Sequence, residues 1–308
     1  MSDSSRRDFL RQAALTAAAL ALGRPSLSRA AGKLQLVQVR GPGVPADVAG
    51  AVKKALAPLG GMAAFVKKGA RVLIKPNMGF PTAPAVRATT DPRVVAAVVR
   101  EVLEAGAARV MVMDNPMRAP EACLQQNGIR AALAGLDVHV LLPMDEKFYV
   151  QVDVPRGKSL KRTRVLKEAL EADVLIAAPI AKSHSAAGFS GAAKGMMGLV
   201  HDREIFHSEL DLNQAVADLN TLLKAQLTVL DGLQVMTSGG PSGPGKLETT
   251  NAILAGSDLV AVDAAGVELA PLYDRKIKPR QIKHLARCQD MGVGQLGLPD
   301  DQIQRLEV

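Results

Sequence analysis

Between Ala181 and His207 the chain gathers groups able to move protons, hold anions or bind a metal: Lys182, Ser183, His184, Lys194, His201, Asp202, Arg203 and His207. Three of the five histidines fall in this window. Lys194 stands among Gly, Ala and Met, where burial favours a neutral amine, so it is a candidate nucleophile or base and equally a phosphate or carboxylate clamp. Lys182 and His184 join it as candidate catalytic residues. His201 and His207 are candidate metal ligands. Their spacing of six is not the three or four that sets two rings on one helix face, so a metal site needs the intervening loop to fold back.

A second set is defined by position along the chain. In open α/β sheets ligands bind beyond the carboxyl ends of the strands, and the residues that follow the apolar runs here are polar: Lys75 and Asn77, Asp114 and Asn115, Lys182 and His184, then Asp231. Amines, carboxylates, amides and an imidazole at one rim suit an anion, a metal or proton transfer. Lys75, Asn77, Asp114 and Asp231 are therefore candidate ligand-binding residues, with Gly243 in a glycine-lined flap and Asp263 on a helix that Asp258 would cap. The same flap, Gly240 to Lys246, matches the spacing of a phosphate-binding loop. Leu247 stands where that loop needs Ser or Thr, and Pro241 and Pro244 remove N–H donors, which argues against nucleotide hydrolysis.

The elements that must position these residues alternate. Short β-branched or aliphatic runs predict strands at Leu34–Val39, Arg71–Lys75, Arg109–Asp114, Asp137–Leu142, Val174–Ala178, Leu227–Leu230 and Ala252–Ala255, with helical patterns between them. Thr90-Asp91-Pro92 opens a helix that runs to about Ala105 and stops at Gly106. A second helix spans about Leu210 to Leu223. Val150, Val152 and Val154 alternate before Pro155-Arg156-Gly157-Lys158, which predicts a hairpin from Tyr149 to Arg164. The expectation is an α/β fold, a mostly parallel sheet with helices on both faces plus a small β-hairpin insertion, in one domain over residues 31–308.

The chain of 308 residues carries a formal charge of +8. Ser5-Arg6-Arg7-Asp8-Phe9-Leu10-Arg11 matches the twin-arginine export pattern, an apolar stretch runs from Ala13 to Leu22, and Ser28-Arg29-Ala30 predicts cleavage after Ala30. That apolar stretch covers about half of the ~20 residues that cross a bilayer, so the expected membrane contact is transient and the expected compartment periplasmic. Five arginines against two aspartates before Ala31 account for three of the positive charges, leaving about +5 for the remainder. With no Trp, two Tyr and six Phe, the chain lacks the stacking platforms of a nucleic-acid binder, and the surplus suits a small anionic ligand instead. Cys123 and Cys288 are too few for a Cys-only metal site and read either as two buried thiols or as one disulfide.

Val72-Leu73-Ile74-Lys75-Pro76-Asn77, Thr89-Thr90-Asp91-Pro92, Ala172-Asp173-Val174-Leu175-Ile176 followed by Lys182-Ser183-His184, Lys194 with Gly198, Asp231-Gly232, Gly240-Pro241 with Gly243, and Ser257-Asp258 with Ala261-Val262-Asp263 together resemble the family catalogued as domain of unknown function 362. The resemblance runs over about residues 34 to 295. It implies an α/β domain, found in some relatives beside ferredoxin-like iron-sulfur modules, and no established reaction. This chain lacks the four-Cys runs of such modules and so carries no such cluster itself. Where many relatives have Lys-Asn it has Lys194-Gly195, which removes an amide from that loop. Two expectations follow. One is an exported, redox-associated enzyme with an anionic or metal-containing ligand at the strand ends, Lys75, Lys182 and Lys194 neutralising the anion. The other is a non-catalytic periplasmic binding or accessory protein serving a redox partner.

Overall fold

The computed structural model describes residues 34–116 and 119–308; the export segment read above lies outside them. The first strands follow the aliphatic runs closely: β1 is Leu36–Arg40, β2 Arg71–Pro76, β3 Arg109–Met113 and β4 His139–Leu141. They alternate sides. Val72 and Ile74 enter one apolar core and Leu73 the other, as the two-residue period of a strand buried on both faces requires. One core is covered by the helices Val48–Leu56 and Pro92–Glu104, the other by Leu212–Leu222, Leu259–Val267 and Lys283–Asp290. Cys123 and Cys288 lie in different cores.

The Pro92–Glu104 helix begins as its sequence predicts. Asp91 accepts the Arg93 N–H at 2.9 Å, and Gly106 follows the helix with a left-handed φ of +83°. The hairpin is also present, with β5 (Tyr149–Asp153) paired antiparallel to β6 (Arg162–Leu166) as a separate two-stranded sheet. Its loop is held by Asp218, buried on the Leu212–Leu222 helix, which accepts the backbone N–H groups of Lys158, Ser159 and Leu160 at 2.7–2.9 Å.

The second half of the sheet is longer and more mixed than its sequence suggests. β7 is Val174–Ala178, β8 Ile180–His184, β9 Gly188–Ser190, β10 Leu227–Met236, β11 Leu247–Gly256 and β12 Ile303–Glu307. The main path runs β12-β1-β11-β10-β7-β2-β3-β4, with β8 on β10 and β9 on β8. The neighbours from β10 through β7, β2 and β3 to β4 are parallel, whereas β1–β11, β10–β11 and β8–β9 are antiparallel. β8 reads poorly as a strand because Lys182, Ser183 and His184 are polar yet all buried. Among the described residues no helix is long and apolar enough to cross a membrane.

Candidate functional site

The carboxyl ends of the parallel strands β2 and β3 open on a cleft of about 640 Å³. β2 delivers Lys75, and the chain beyond it adds Asn77, Gly79 and Phe80. β3 stops at Met113 and is followed in the lining by Asp114, Asn115 and Pro116. The β8–β9 hairpin supplies His184, Ser185, Ala186 and Ser190; the segment after it adds Lys194, Gly198, His201, Arg203 and His207.

Hydrogen bonds to backbone carbonyls fix this lining. Asn115 donates its side-chain amide to the carbonyls of Val200 and His201, at 2.7 and 3.0 Å, and its backbone N–H to Gly198 at 2.7 Å. Arg203 Nη2 donates to the Pro116 carbonyl at 2.7 Å. The segment that carries the histidines is thereby laced to the end of β3. Gly198 must be glycine here, because a Cβ would overlap Asp114 Oδ1 and the end of Lys75. The short helix Ala192–Gly195, which carries Lys194, is seated by Asp263: its two carboxylate oxygens accept the Ala192 and Ala193 N–H groups at 2.6 and 2.8 Å.

Three lysines are buried in or beside the cleft, and each meets a different environment. Lys75 pairs with Asp114 at 3.0 Å and also donates to the Pro76 carbonyl. Burial still outweighs that pairing and lowers the Lys75 pKa. Lys182, with no exposed surface, donates to the carbonyls of Ala88 and Pro241 and lies 4.6 Å from the centre of the Phe80 ring. Burial, and after it the Lys194 and Lys75 charges, bring its pKa down to about 7 despite the attraction of Asp114. Lys194 is 8 % exposed and its side-chain amine takes no hydrogen bond or ion pair among the described residues. Burial first, then Arg203 and Lys75, bring it down to about 8.

Two imidazoles of the cleft, His184 and His207, are pushed toward their neutral form. Burial and the neighbouring Lys194 and Lys182 charges bring His184 down to about 3. Its Nδ1 accepts the Ala186 and Ala187 N–H groups at 3.2 and 3.3 Å, which assigns the proton of the neutral ring to Nε2. His207 stacks on His184, the ring centres 6.2 Å apart and the planes within 5°, and its pKa is also lowered, by burial and by Lys194. His201 instead lies against Tyr149, 4.9 Å between ring centres, with Nε2 3.2 Å from the Met144 carbonyl. Both candidate metal histidines line the cleft, but among the described residues no three His, Cys, Asp or Glu side chains converge as a metal site requires.

Of the predicted site residues the structure brings Lys75, Asn77, Asp114, His184, Lys194, His201 and His207 to the cleft lining. Lys182 lies behind two lining residues, Phe80 and Pro241. Three others lie elsewhere. Asp231 is not at a strand end, because β10 continues five residues beyond it; its carboxylate binds Arg87 at 2.6 Å and the Asp91 N–H at 2.8 Å. Asp263 is turned to the Ala192–Gly195 helix, and burial raises its carboxyl pKa to about 7. Gly243 takes φ +69° in a turn where a Cβ would press on Val86, while Pro241 is the member of that flap that reaches the cleft. Arg203, which the sequence offers only as one of the polar residues of the Ala181–His207 window, also lines the cleft. It stands two positions after His201 in the densest polar window, and that was the signal available for it.

A family model described as domain of unknown function (DUF362) matches residues 72–268, a span that contains every residue of this cleft. A thylakoid-associated protein of Synechocystis is 31% identical over 245 residues, covering 77% of this chain and 73% of its own length. Among solved structures, the lactate racemase apoprotein of Thermoanaerobacterium thermosaccharolyticum aligns at TM-score 0.49 and 12% identity over 79% of this chain and 59% of that one. A structural-genomics target from Thermotoga maritima aligns at TM-score 0.41 and 13% identity over 66% and 55%.

Proposed function

Starting from a chain that belongs to the DUF362 family, we propose that its strand-end cleft binds a small organic anion, a carboxylate or a phosphate, against Lys194. The observation that carries this is the imbalance of buried charge. Lys75, Lys182 and Lys194 are each at most 8 % exposed, Arg203 adds a fourth cation, and Asp114 is the buried carboxylate among the lining residues. Asp202 and Glu204 also line the cleft but are exposed, so solvent screens them. The Lys194 ammonium opens on the cleft with no acceptor from the protein, and its partial desolvation is costly. An anion that enters the cleft supplies that acceptor, in a charge-assisted hydrogen bond worth about 1.5–3 kcal/mol. The neutral His184, with its proton on Nε2, adds a donor that does not depend on pH near neutrality.

Calorimetric titration with oxalate and with inorganic phosphate tests this. Binding of at least one, weakened about tenfold or more by Lys194→Met, is the expected result. Affinity unchanged in the variant, or no binding of either anion, overturns it. The affinity is expected to be full at low pH and to fall as pH rises through about 8, because only the protonated Lys194 attracts the anion.

The proposal includes export through the twin-arginine route, supported by Arg6-Arg7 within Ser5–Arg11. Changing both arginines to lysine is expected to leave the protein in the cytoplasmic fraction of a Gram-negative host. Unchanged periplasmic recovery would contradict export by this route.

A further inference from the structure

Anion binding alone does not account for the chemistry around Lys194. Its amine is the one of the three buried lysines without a bonding partner among the described residues, since Asp114 and the Pro76 carbonyl engage Lys75 and two other carbonyls engage Lys182. The cations nearest it in effect are Arg203 and Lys75, and the rings that feel its charge are His184, His207 and His284. A desolvated lysine beside other cations is the setting in which an amine becomes a nucleophile near neutral pH.

We infer that Lys194 condenses with the carbonyl carbon of an aldehyde- or ketone-bearing organic anion held in this cleft, giving a reversible imine. The inference rests on the anion reading above and names its substrate class. In the step, the neutral Lys194 amine attacks the carbonyl carbon, a C–N bond forms, and the C=O electron pair moves to oxygen, which takes a proton to give a carbinolamine. That hydroxyl then leaves as water while the nitrogen loses its remaining proton, so that amine and carbonyl become imine and water with no oxidant or reductant. His184 fits as donor to the carbonyl and carbinolamine oxygen, because its ring is neutral with the proton on Nε2. The cleft, about 640 Å³, leaves room for a substituent well beyond a two-carbon acid.

The test incubates the full chain with glyoxylate at about pH 8, where a large share of Lys194 is neutral, and reduces the mixture with cyanoborohydride. Intact-mass and peptide mapping then locate the adduct, with oxalate titrated in parallel by calorimetry. A single reduced adduct on Lys194, suppressed by excess oxalate, is the expected result. Lys194→Arg should abolish trapping while leaving the thermal unfolding midpoint unchanged, which separates loss of the nucleophile from loss of the fold. Oxalate binding with no adduct, or with an adduct spread over surface lysines, overturns the imine and leaves anion binding standing. Failure of trapping together with failure of both oxalate and inorganic phosphate binding overturns both.

Discussion

Lys75, Lys182 and Lys194 show one problem met in three ways at the scale of single residues. A buried ammonium needs either a carboxylate or several carbonyl acceptors. Lys75 has Asp114 and Lys182 has two carbonyls and the Phe80 face, but Lys194 has neither. Opposite stability effects follow. Lys75→Met strands the Asp114 carboxylate and should lower the unfolding free energy by about 3–5 kcal/mol. Lys194→Met removes an ammonium with no partner and should leave the midpoint unchanged or raise it, although the anion is lost. Urea unfolding of both variants checks the pair. If Lys194→Met were as destabilising as Lys75→Met, the reading of Lys194 as a group kept for its ligand would be wrong. The sequence marked Lys194 through its Gly, Ala and Met neighbours, which bear on burial. It could not show that Asp114 pairs with Lys75, since that contact joins the ends of two strands.

Secondary elements decide which polar residues reach the cleft. The capping residues Asp91 and Asp258 and the aliphatic runs of β2, β3 and β7 were legible, because their signals are local. β8 and the full length of β10 were not. Lys182-Ser183-His184 has no strand-like pattern, and Asp231 interrupts the apolar run Leu227–Leu230 only because Arg87, far away in sequence, neutralises it inside the sheet. Asp218 illustrates the same limit from a helix: one carboxylate oxygen holds three N–H groups of the hairpin loop, a role with no trace in the helical period. Asp218→Ala leaves those donors without their acceptor and should cost about 2–4 kcal/mol. Amide hydrogen exchange should show faster exchange at Lys158, Ser159 and Leu160. Unchanged exchange there would remove Asp218 as the anchor of the loop.

For the molecule as a whole, burial of titratable groups sets how stability varies with pH. His184 and His284 are both brought down to about 3, chiefly by burial, whereas unfolded histidines titrate near 6.5. Below pH 6.5 the unfolded chain therefore binds protons that the folded one refuses, and stability falls as the solution is acidified toward pH 3. Asp263 opposes this: its pKa, raised to about 7, gives stability as pH falls from 7 toward 3.8. A comparison with His284→Phe cancels the Asp263 contribution, and the variant should lose less stability than the parent between pH 6.5 and 4.5. Equal slopes would show that His284 is not held neutral. At this scale the strand-end rule read from the sequence placed most of the lining in one cleft, because parallel strands share a direction and so share an end. Asp231 and Asp263 departed from it because each found a partner within the protein.

Proton uptake on anion binding bears most directly on the claim that Lys194 waits for a negative charge. Oxalate titrations at about pH 8.5, repeated in buffers of different ionisation enthalpy, measure it. Since most of Lys194 is neutral there, the account predicts uptake of a substantial fraction of a proton per anion bound, and less in Lys194→Arg. Binding by the unaltered protein without proton uptake would contradict the account.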